Sequence, residues 1–452
     1  MSTAKYIHYL WPCEYCCVIL MLAASLLFPL VAVADSAHVA KNTELLTLET
    51  AVGLSLAHQP SVSAAWAQTQ AAESERRAAA HALLPSLSLH AGDKFSRAQN
   101  STPDYFVSDS GRREISGQLV LDQALYDPRK LSMAAAARAQ ADFARFAALR
   151  SQLSVAKATA RAFYSLRDKE SAVQIWQGTL EQARLLLADT HLGYEAGTRT
   201  RLDLVRSQAQ VTGAESALAV AQVERNTAGQ LLSLMTGREP LPPLAPPREI
   251  AVDLQLPTMA DLHQVILTRR PELGMAQAEV ARSQALFQEA EGAWKPQLHL
   301  QAAYGWDTLA TPTSMNLGWS AGLNLEMPLF DWGMLRDHED AARFNLQASQ
   351  AQQKETVLKI DAEFEQALGN AQAAMAAFKV NRQLVEQNAD IYHMSQKGYQ
   401  AGRLSGLDLA LARKEWVQTQ IQQEQGRFNL RLALVELDLI TGALSAGSEE
   451  LP

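Results

Sequence analysis

The sequence predicts a mixed α and β membrane protein, with four membrane-facing strands and two pairs of long helices per chain, arranged as two internal structural repeats. Three observations carry this. A long block of the chain returns later in the sequence. Each copy contains segments in which apolar and polar residues alternate, the pattern of a strand with one apolar face. Each copy then enters an Ala-rich stretch far longer than a globular helix.

The N-terminal segment is set aside before the fold is read. Lys5 is the only Lys or Arg ahead of an apolar run from Val18 to Val33, which closes on Ala32-Val33-Ala34 before Asp35. That order predicts a secretory signal peptide over residues 1–34, cut between Ala34 and Asp35. The three cysteines, Cys13, Cys16 and Cys17, all lie in it. The mature chain is therefore expected to have no disulfide, thiol nucleophile or cysteine-held metal. A lipid-acceptor cysteine would follow the apolar run, so a lipoprotein anchor is not expected. The net charge of -8 leaves no basic stripe to track phosphates, which argues against nucleic acid. No later run approaches ~18 apolar residues, so no further transmembrane helix is expected.

The duplication sets the organisation. Tyr194-Glu-Ala-Gly-Thr-Arg-Thr-Arg-Leu-Asp-Leu204 returns as Tyr399-Gln-Ala-Gly-Arg-Leu-Ser-Gly-Leu-Asp-Leu409, and Leu234-Met-Thr-Gly237 returns as Leu439-Ile-Thr-Gly442. Upstream, Gln59-Pro60-Ser-Val and Leu84-Pro85-Ser-Leu-Ser-Leu89 return as Arg270-Pro271-Glu-Leu and Lys295-Pro296-Gln-Leu-His-Leu300. The offset slips between the two strand candidates, where the first half has the longer polar stretch, Asp93 to Arg113. Loops absorb insertions and packed elements do not. The expected units are repeat 1 over 35–250, repeat 2 over 258–444 and a tail at 445–452. Between the repeats lies a Pro-rich segment at 240–257, unsuited to helix or central strand.

Strands are expected near 86–92, 115–126, 297–306 and 317–329. In the third, Leu298, Leu300, Ala302, Tyr304 and Trp306 share a face; in the fourth, Leu317, Trp319, Ala321, Leu323, Leu325, Met327 and Leu329 do. The first half repeats this with Leu87, Leu89 and Ala91, then Leu119, Leu121 and Leu125. Such strands suit an outer-membrane barrel, and Tyr304, Trp306 and Trp319 suit its aromatic girdle. Half-buried hairpins of a soluble protein would alternate in the same way. Four strands cannot close a barrel, and an open edge cannot face hydrocarbon. Membrane strands here must be pooled between chains, and three chains would supply twelve, an even number.

Long helices are expected at about 129–192 and 334–397, each near 60 residues or ~90 Å. Alanine favours helix and lets backbones approach closely. Gly197 and Gly402 supply the left-handed position that ends a helix. Thr200 with Asp203, and Ser405 with Asp408, read as capping boxes that open return helices at about 200–236 and 405–441.

No catalytic or cofactor-binding constellation emerges. Asp337-His338-Glu339-Asp340 reads as an acidic first helical turn, not a metal set, and neither His-Glu-x-x-His nor a nucleophile elbow occurs. The expectation is a protein that is not an enzyme.

With these residues in place, the sequence resembles the TolC family of outer-membrane efflux and secretion channels, from about Leu46 to Gly442. The resemblance rests on Leu-x-Leu near Leu46, an Ala-rich helix with a proline near Pro60, Pro-x-Leu-x-Leu entering a strand, Leu329-Phe-Asp331, and the duplicated Tyr-x-x-Gly-x-x-x-x-x-Asp turn. It implies a trimeric 12-stranded barrel in the outer membrane, continued by a long α-helical barrel through the periplasm. A collar including the Pro-rich segment would surround the helices. It further implies a passive exit duct, opened at its periplasmic tip by an adaptor (membrane fusion protein) and an inner-membrane pump of RND, ABC or MFS type. Carried over by motif, Tyr194, Arg199 and Asp203 match the family's closing residues. Tyr399 and Asp408 repeat two of them. Leu404 stands where Arg199 would recur, and Arg403 is the candidate substitute. Where the family has a second acid one turn later, this chain has Arg206 and Leu411. The tips, Gly197, Thr198, Leu204, Gly402, Leu404 and Leu409, are the implied adaptor contacts. The alternatives are an adaptor-like protein or a scaffold coiled coil without a membrane barrel. An adaptor carries one hairpin in compact β-domains, and a scaffold leaves the Trp319 face unexplained.

Overall fold

The computed structural model describes residues 45–95, 113–246, 269–307 and 316–441. The expected signal peptide, the C-terminal tail, most of the Pro-rich segment and the loop from 96 to 112 lie outside the described residues. Among those described the order is α1 (Leu48–His58), α2 (Pro60–His81), β1 (Ser86–Phe95), β2 (Arg113–Tyr126), α3 (Pro128–Glu195) and α4 (Arg201–Thr236). The second half follows with α5 (Pro271–Gly292), β3 (Gln297–Asp307), β4 (Asn316–Glu326), α6 (Met334–Gln400) and α7 (Gly406–Thr441).

α3 and α6, of 68 and 67 residues, run the full length of the helical part, about 100 Å each. The shorter helices stack in pairs beside them. α2 and α4 both flank α3, while α5 and α7 both lie between α3 and α6. Where α2 begins and α4 ends, the Gln59 side-chain amide donates to the Met235 carbonyl at 3.0 Å. The result is a wall four helices wide and one layer thick. Its buried positions are small: Ser207, Ala214, Ala221 and Ala228 recur every seven residues along α4, the seam of a coiled coil. Larger side chains gather at mid-height, with Phe163, Leu166 and Leu232 in one cluster and Ile360, Phe364 and Leu437 in another.

The order strand, loop, strand, long helix, turn and return helix is incomplete for each half. A 22-residue helix, α2 or α5, precedes each strand pair and starts on a proline, Pro60 or Pro271. Proline suits that place because it brings no N–H and its φ is already helical. The fourth strand also needs correction. It was expected to reach residue 329 and ends at Glu326, because Pro328 has no N–H for the ladder. Met327 and Leu329 are exposed beyond it.

The four strands form one antiparallel sheet in sequence order. The register sets Leu89 opposite Leu119, Leu119 opposite Tyr304 and Tyr304 opposite Trp319. Leu87, Leu121, Ala302 and Ala321 form the next such row. One face is therefore apolar across all four strands, and the opposite face carries Ser88, Gln118, Asp122, Gln301 and Asn324.

Candidate functional site: the apolar sheet face and the paired hairpin turns

Paired residues on an antiparallel ladder share a face, so the register assembles Leu298, Leu300, Tyr304, Trp306, Leu317, Trp319, Leu323 and Leu325 into one patch. Trp319 is 79% exposed and Leu323 67%. The Trp306 indole lies over Gly117, its partner on β2, where a methyl group would sit only 2.6 Å from the ring. β1 and β4 are the outer strands, and among the described residues each has a neighbour on one side only.

At the other end of the wall the two turns are built alike. Gly197 and Gly402 adopt φ of 72° and 70°, where a side chain would be strained. The amides of Thr198 and Arg199 both donate to the Gly193 carbonyl, and those of Arg403 and Leu404 to the Gly398 carbonyl. The Thr200 hydroxyl donates to Asp203 at 2.7 Å and accepts from the Asp203 amide. Ser405 and Asp408 repeat both contacts. Hydrogen bonding from the Thr200 hydroxyl, with lesser help from its amide, Arg199 and Arg206, holds Asp203 below the usual carboxylate range. Ser405 does the same for Asp408.

The two turns meet within one chain. The Arg199 guanidinium carbon lies 3.9 Å from the centroid of the Tyr399 ring, and Tyr399 is buried. Leu404 takes the place of Arg199 in the second turn and packs over Gly398 as Arg199 packs over Gly193. Arg403 stands at the turn position of Thr198, its amide donating to the Gly398 carbonyl. Its side chain has no hydrogen bond or ion pair among the described residues. Tyr194 is half-exposed and its hydroxyl is likewise without a partner among the described residues. Gly197, Thr198, Gly402 and Leu404 are exposed and Leu204 is partly so. Leu409 is corrected: it is 2% exposed, packed with Tyr392 and Tyr399, and belongs to the core rather than to a contact surface.

Sequence reading missed a cluster further along the hairpins. The Tyr392 ring stacks on Trp416 with centroids 4.8 Å apart, and Arg413 donates to its hydroxyl at 3.1 Å. The signal was the difference between repeats. The offset carrying Tyr194 to Tyr399 also carries Leu187 to Tyr392, Gln208 to Arg413 and Val211 to Trp416. Among the described residues no three His, Cys, Asp or Glu side chains come together as a metal set; Asp337 lies in the first turn of α6.

Comparison with known proteins agrees with this geometry. The chain is 26% identical over 240 residues to the pyoverdine export outer membrane protein OpmQ of Pseudomonas aeruginosa, covering 53% of this chain and 50% of that one. It is 23% identical over 267 residues to the toluene efflux pump outer membrane protein TtgC of Pseudomonas putida, covering 57% and 54%. Against these two it spans about half of the relative's length. With protein CyaE of Bordetella pertussis it shares 25% identity over 381 residues, 82% of this chain and 79% of that one. The fold matches the Campylobacter jejuni CmeC outer membrane channel at a TM-score of 0.76 and 16% identity, over 90% of each chain. It matches the Vibrio cholerae outer membrane protein VceC at 0.76 and 18% identity, over 87% of this chain and 96% of that one. The profile of the outer membrane efflux protein family matches residues 51–238 and 262–443, and the chain belongs to that family.

Proposed function

We propose that three copies of this chain form a passive exit duct, with a 12-stranded barrel in the bacterial outer membrane continued by an α-helical barrel through the periplasm. The observation that carries the reading is the sheet. Its register gathers the apolar side chains of four strands on one face and, among the described residues, leaves both edges open. Hydrocarbon tolerates the face but not the edges. Because the strands alternate in direction, β4 of one copy and β1 of the next run antiparallel, and three copies close the ring. Export through a cleaved signal peptide delivers the chain to that membrane. The two hairpins and the sheet favour a duct over an adaptor-like or scaffold protein.

The tips form the periplasmic gate. Tyr194, Arg199, Asp203, Tyr399, Arg403 and Asp408 surround the aperture, and Gly197, Thr198, Leu204, Gly402 and Leu404 offer the surface for a periplasmic adaptor. An inner-membrane pump supplies the energy, so the duct needs neither cofactor nor catalytic residue. The relatives are named for pyoverdine and toluene, and selection of cargo belongs to pump and adaptor. Fractionation tests the duct. Heat-resistant trimers in outer-membrane fractions are expected, and a freely soluble periplasmic monomer would overturn the reading. Single-channel conductance tests the gate: replacing Arg199 and Asp203 should open it, and unchanged closure would remove the gate assignment.

A further inference from the structure

Tyr392 and Tyr399 stand two helical turns apart on one face of α6, and both are buried, at 2% and 3% exposure. The neighbour of α6 at this height is α7, yet both tyrosines reach hairpin one. Tyr399 does so at the tip, under Arg199. Tyr392 does so about 10 Å further in. Its hydroxyl donates to the Gln182 side-chain oxygen on α3 at 3.4 Å and accepts from Arg413 on α7 at 3.1 Å. The ring is fixed by its stack on Trp416 and by Leu186 and Leu409. One hydroxyl thus joins α3, α6 and α7.

The same cluster holds groups whose bonds are unmade. Arg413 is 8% exposed, and its Nε and Nη1 are buried without a hydrogen-bond partner among the described residues. The same holds for Oε1 of Gln210 on α4. Arg413 and Gln210 line one cavity of about 490 Å³ between α3, α4 and α7. A buried polar atom left unpaired opposes the arrangement that buries it. The closed packing therefore makes the Tyr392 bridge and leaves Arg413 and Gln210 unsatisfied. Sliding the hairpins apart breaks the first and gives the second access to water. That is a two-state element that movement of either hairpin biases.

We propose that Tyr392 is a second latch, set inside the tip contacts, holding the two hairpins of each chain in the closed arrangement. This rests on reading the tips as the gate of a duct. The test is the single-channel behaviour of the full-length protein in planar bilayers, comparing Tyr392→Phe, Gln182→Leu, Gln210→Leu and Arg199→Ala with the unaltered chain. Tyr392→Phe keeps the stack on Trp416 and loses the bridge. It should raise open probability about fivefold, the worth of one ordinary hydrogen bond. Gln182→Leu should do the same, and the pair together should do no more than either. Arg199→Ala should multiply the effect, because it breaks a separate contact. Gln210→Leu removes an acceptor unpaired only when closed and should lower open probability. Unchanged helix content by circular dichroism and heat-resistant oligomers show that the variants fold. Arg199→Ala opening the channel while Tyr392→Phe leaves it unchanged would overturn the latch and leave the gate standing. Opening by Tyr392→Phe but not by Gln182→Leu would also overturn it, tracing the effect to ring packing. Absence of conducting pores from every protein, the unaltered one included, would mean that the duct reading itself fails.

Discussion

The Arg199 guanidinium carbon lies 3.9 Å from the centroid of the Tyr399 ring, and this contact joins the turn of the first repeat to the turn of the second. Its energy depends on exposure. A cation over an aromatic face contributes about 0.5–1 kcal/mol in water and about 2 kcal/mol when desolvated. Arg199 is partly buried and Tyr399 is 3% exposed, which places the pair between those limits. A double-mutant cycle of Arg199→Ala and Tyr399→Leu, read by thermal unfolding, should give a coupling of about 1 kcal/mol. Zero coupling would mean that the turns meet without holding each other.

The caps give the tips a defined pH response. Asp203 and Asp408 are both held below the ordinary carboxylate range by the hydroxyl of their own cap residue. For a depressed acid the stabilisation is complete above the unfolded value and is lost as pH falls through the folded one. Hydrogen exchange at the turns should therefore be flat from pH 7 to about 5, after correction for intrinsic rates, and should quicken only below about pH 4. At neutral pH, Thr200→Ala or Ser405→Ala should each cost about 1 kcal/mol of helix stability. A transition near pH 6 would point instead to a histidine, and would remove the caps from the account.

Much of this was legible because it is local or periodic. The Thr200 to Asp203 box, the glycines at 197 and 402 and the alternation from Leu317 to Leu325 each state their conformation within a few residues. What resisted reading was set by distant partners. Leu409 looks like a tip residue by position, yet Tyr392 and Tyr399 cover it. Tyr392 has no motif around it, and its meaning depends on Gln182, far away in the chain. The stacking of α2 with α4 beside α3 was also hidden. Alanine-rich helices are apolar on several faces, so no single stripe names the neighbour.

The assignment of the sheet faces separates two adjacent residues of β4. Leu323 shares its face with Tyr304 and Trp319, while Asn324 lies on the other. An arginine facing the bilayer midplane costs about 2–4 kcal/mol, and the proposed trimer would incur that cost three times. Leu323→Arg should therefore abolish heat-resistant trimers in outer-membrane fractions, and Asn324→Arg should leave them. Equal loss from both would show that neither face is in lipid.

Asp168 on α3 presents the opposite case to Asp203. Burial raises its carboxyl above the usual range, and Glu224 and Glu424 add to the rise against the opposing pull of Lys169. For an acid whose folded value is raised, stability falls as pH rises through the window between the unfolded and folded values. At neutral pH the ionised form burdens the fold, so Asp168→Asn should raise the melting temperature at pH 7. The gain should shrink as the solution is acidified towards the unfolded value. A gain that stays constant with pH would assign the effect to packing instead of charge.

Gly117 and Trp306 act as one unit on the apolar face. The register sets them opposite each other, and the indole fills the space that a side chain at 117 would occupy, 2.6 Å from the ring atoms. An ordinary van der Waals contact between carbons needs about 3.5–4.0 Å, so Gly117→Ala must displace the ring. Overpacking of this kind costs about 1–3 kcal/mol. The trimer of Gly117→Ala should therefore dissociate at a lower temperature in a heat-modifiability assay. Trp306→Leu alone should also weaken it, by uncovering the glycine. The double variant decides the matter, because leucine leaves room for the added methyl group. It should be more stable than the sum of the two losses predicts. Strict additivity would mean that the indole rests elsewhere in the membrane and that Gly117 serves only the backbone.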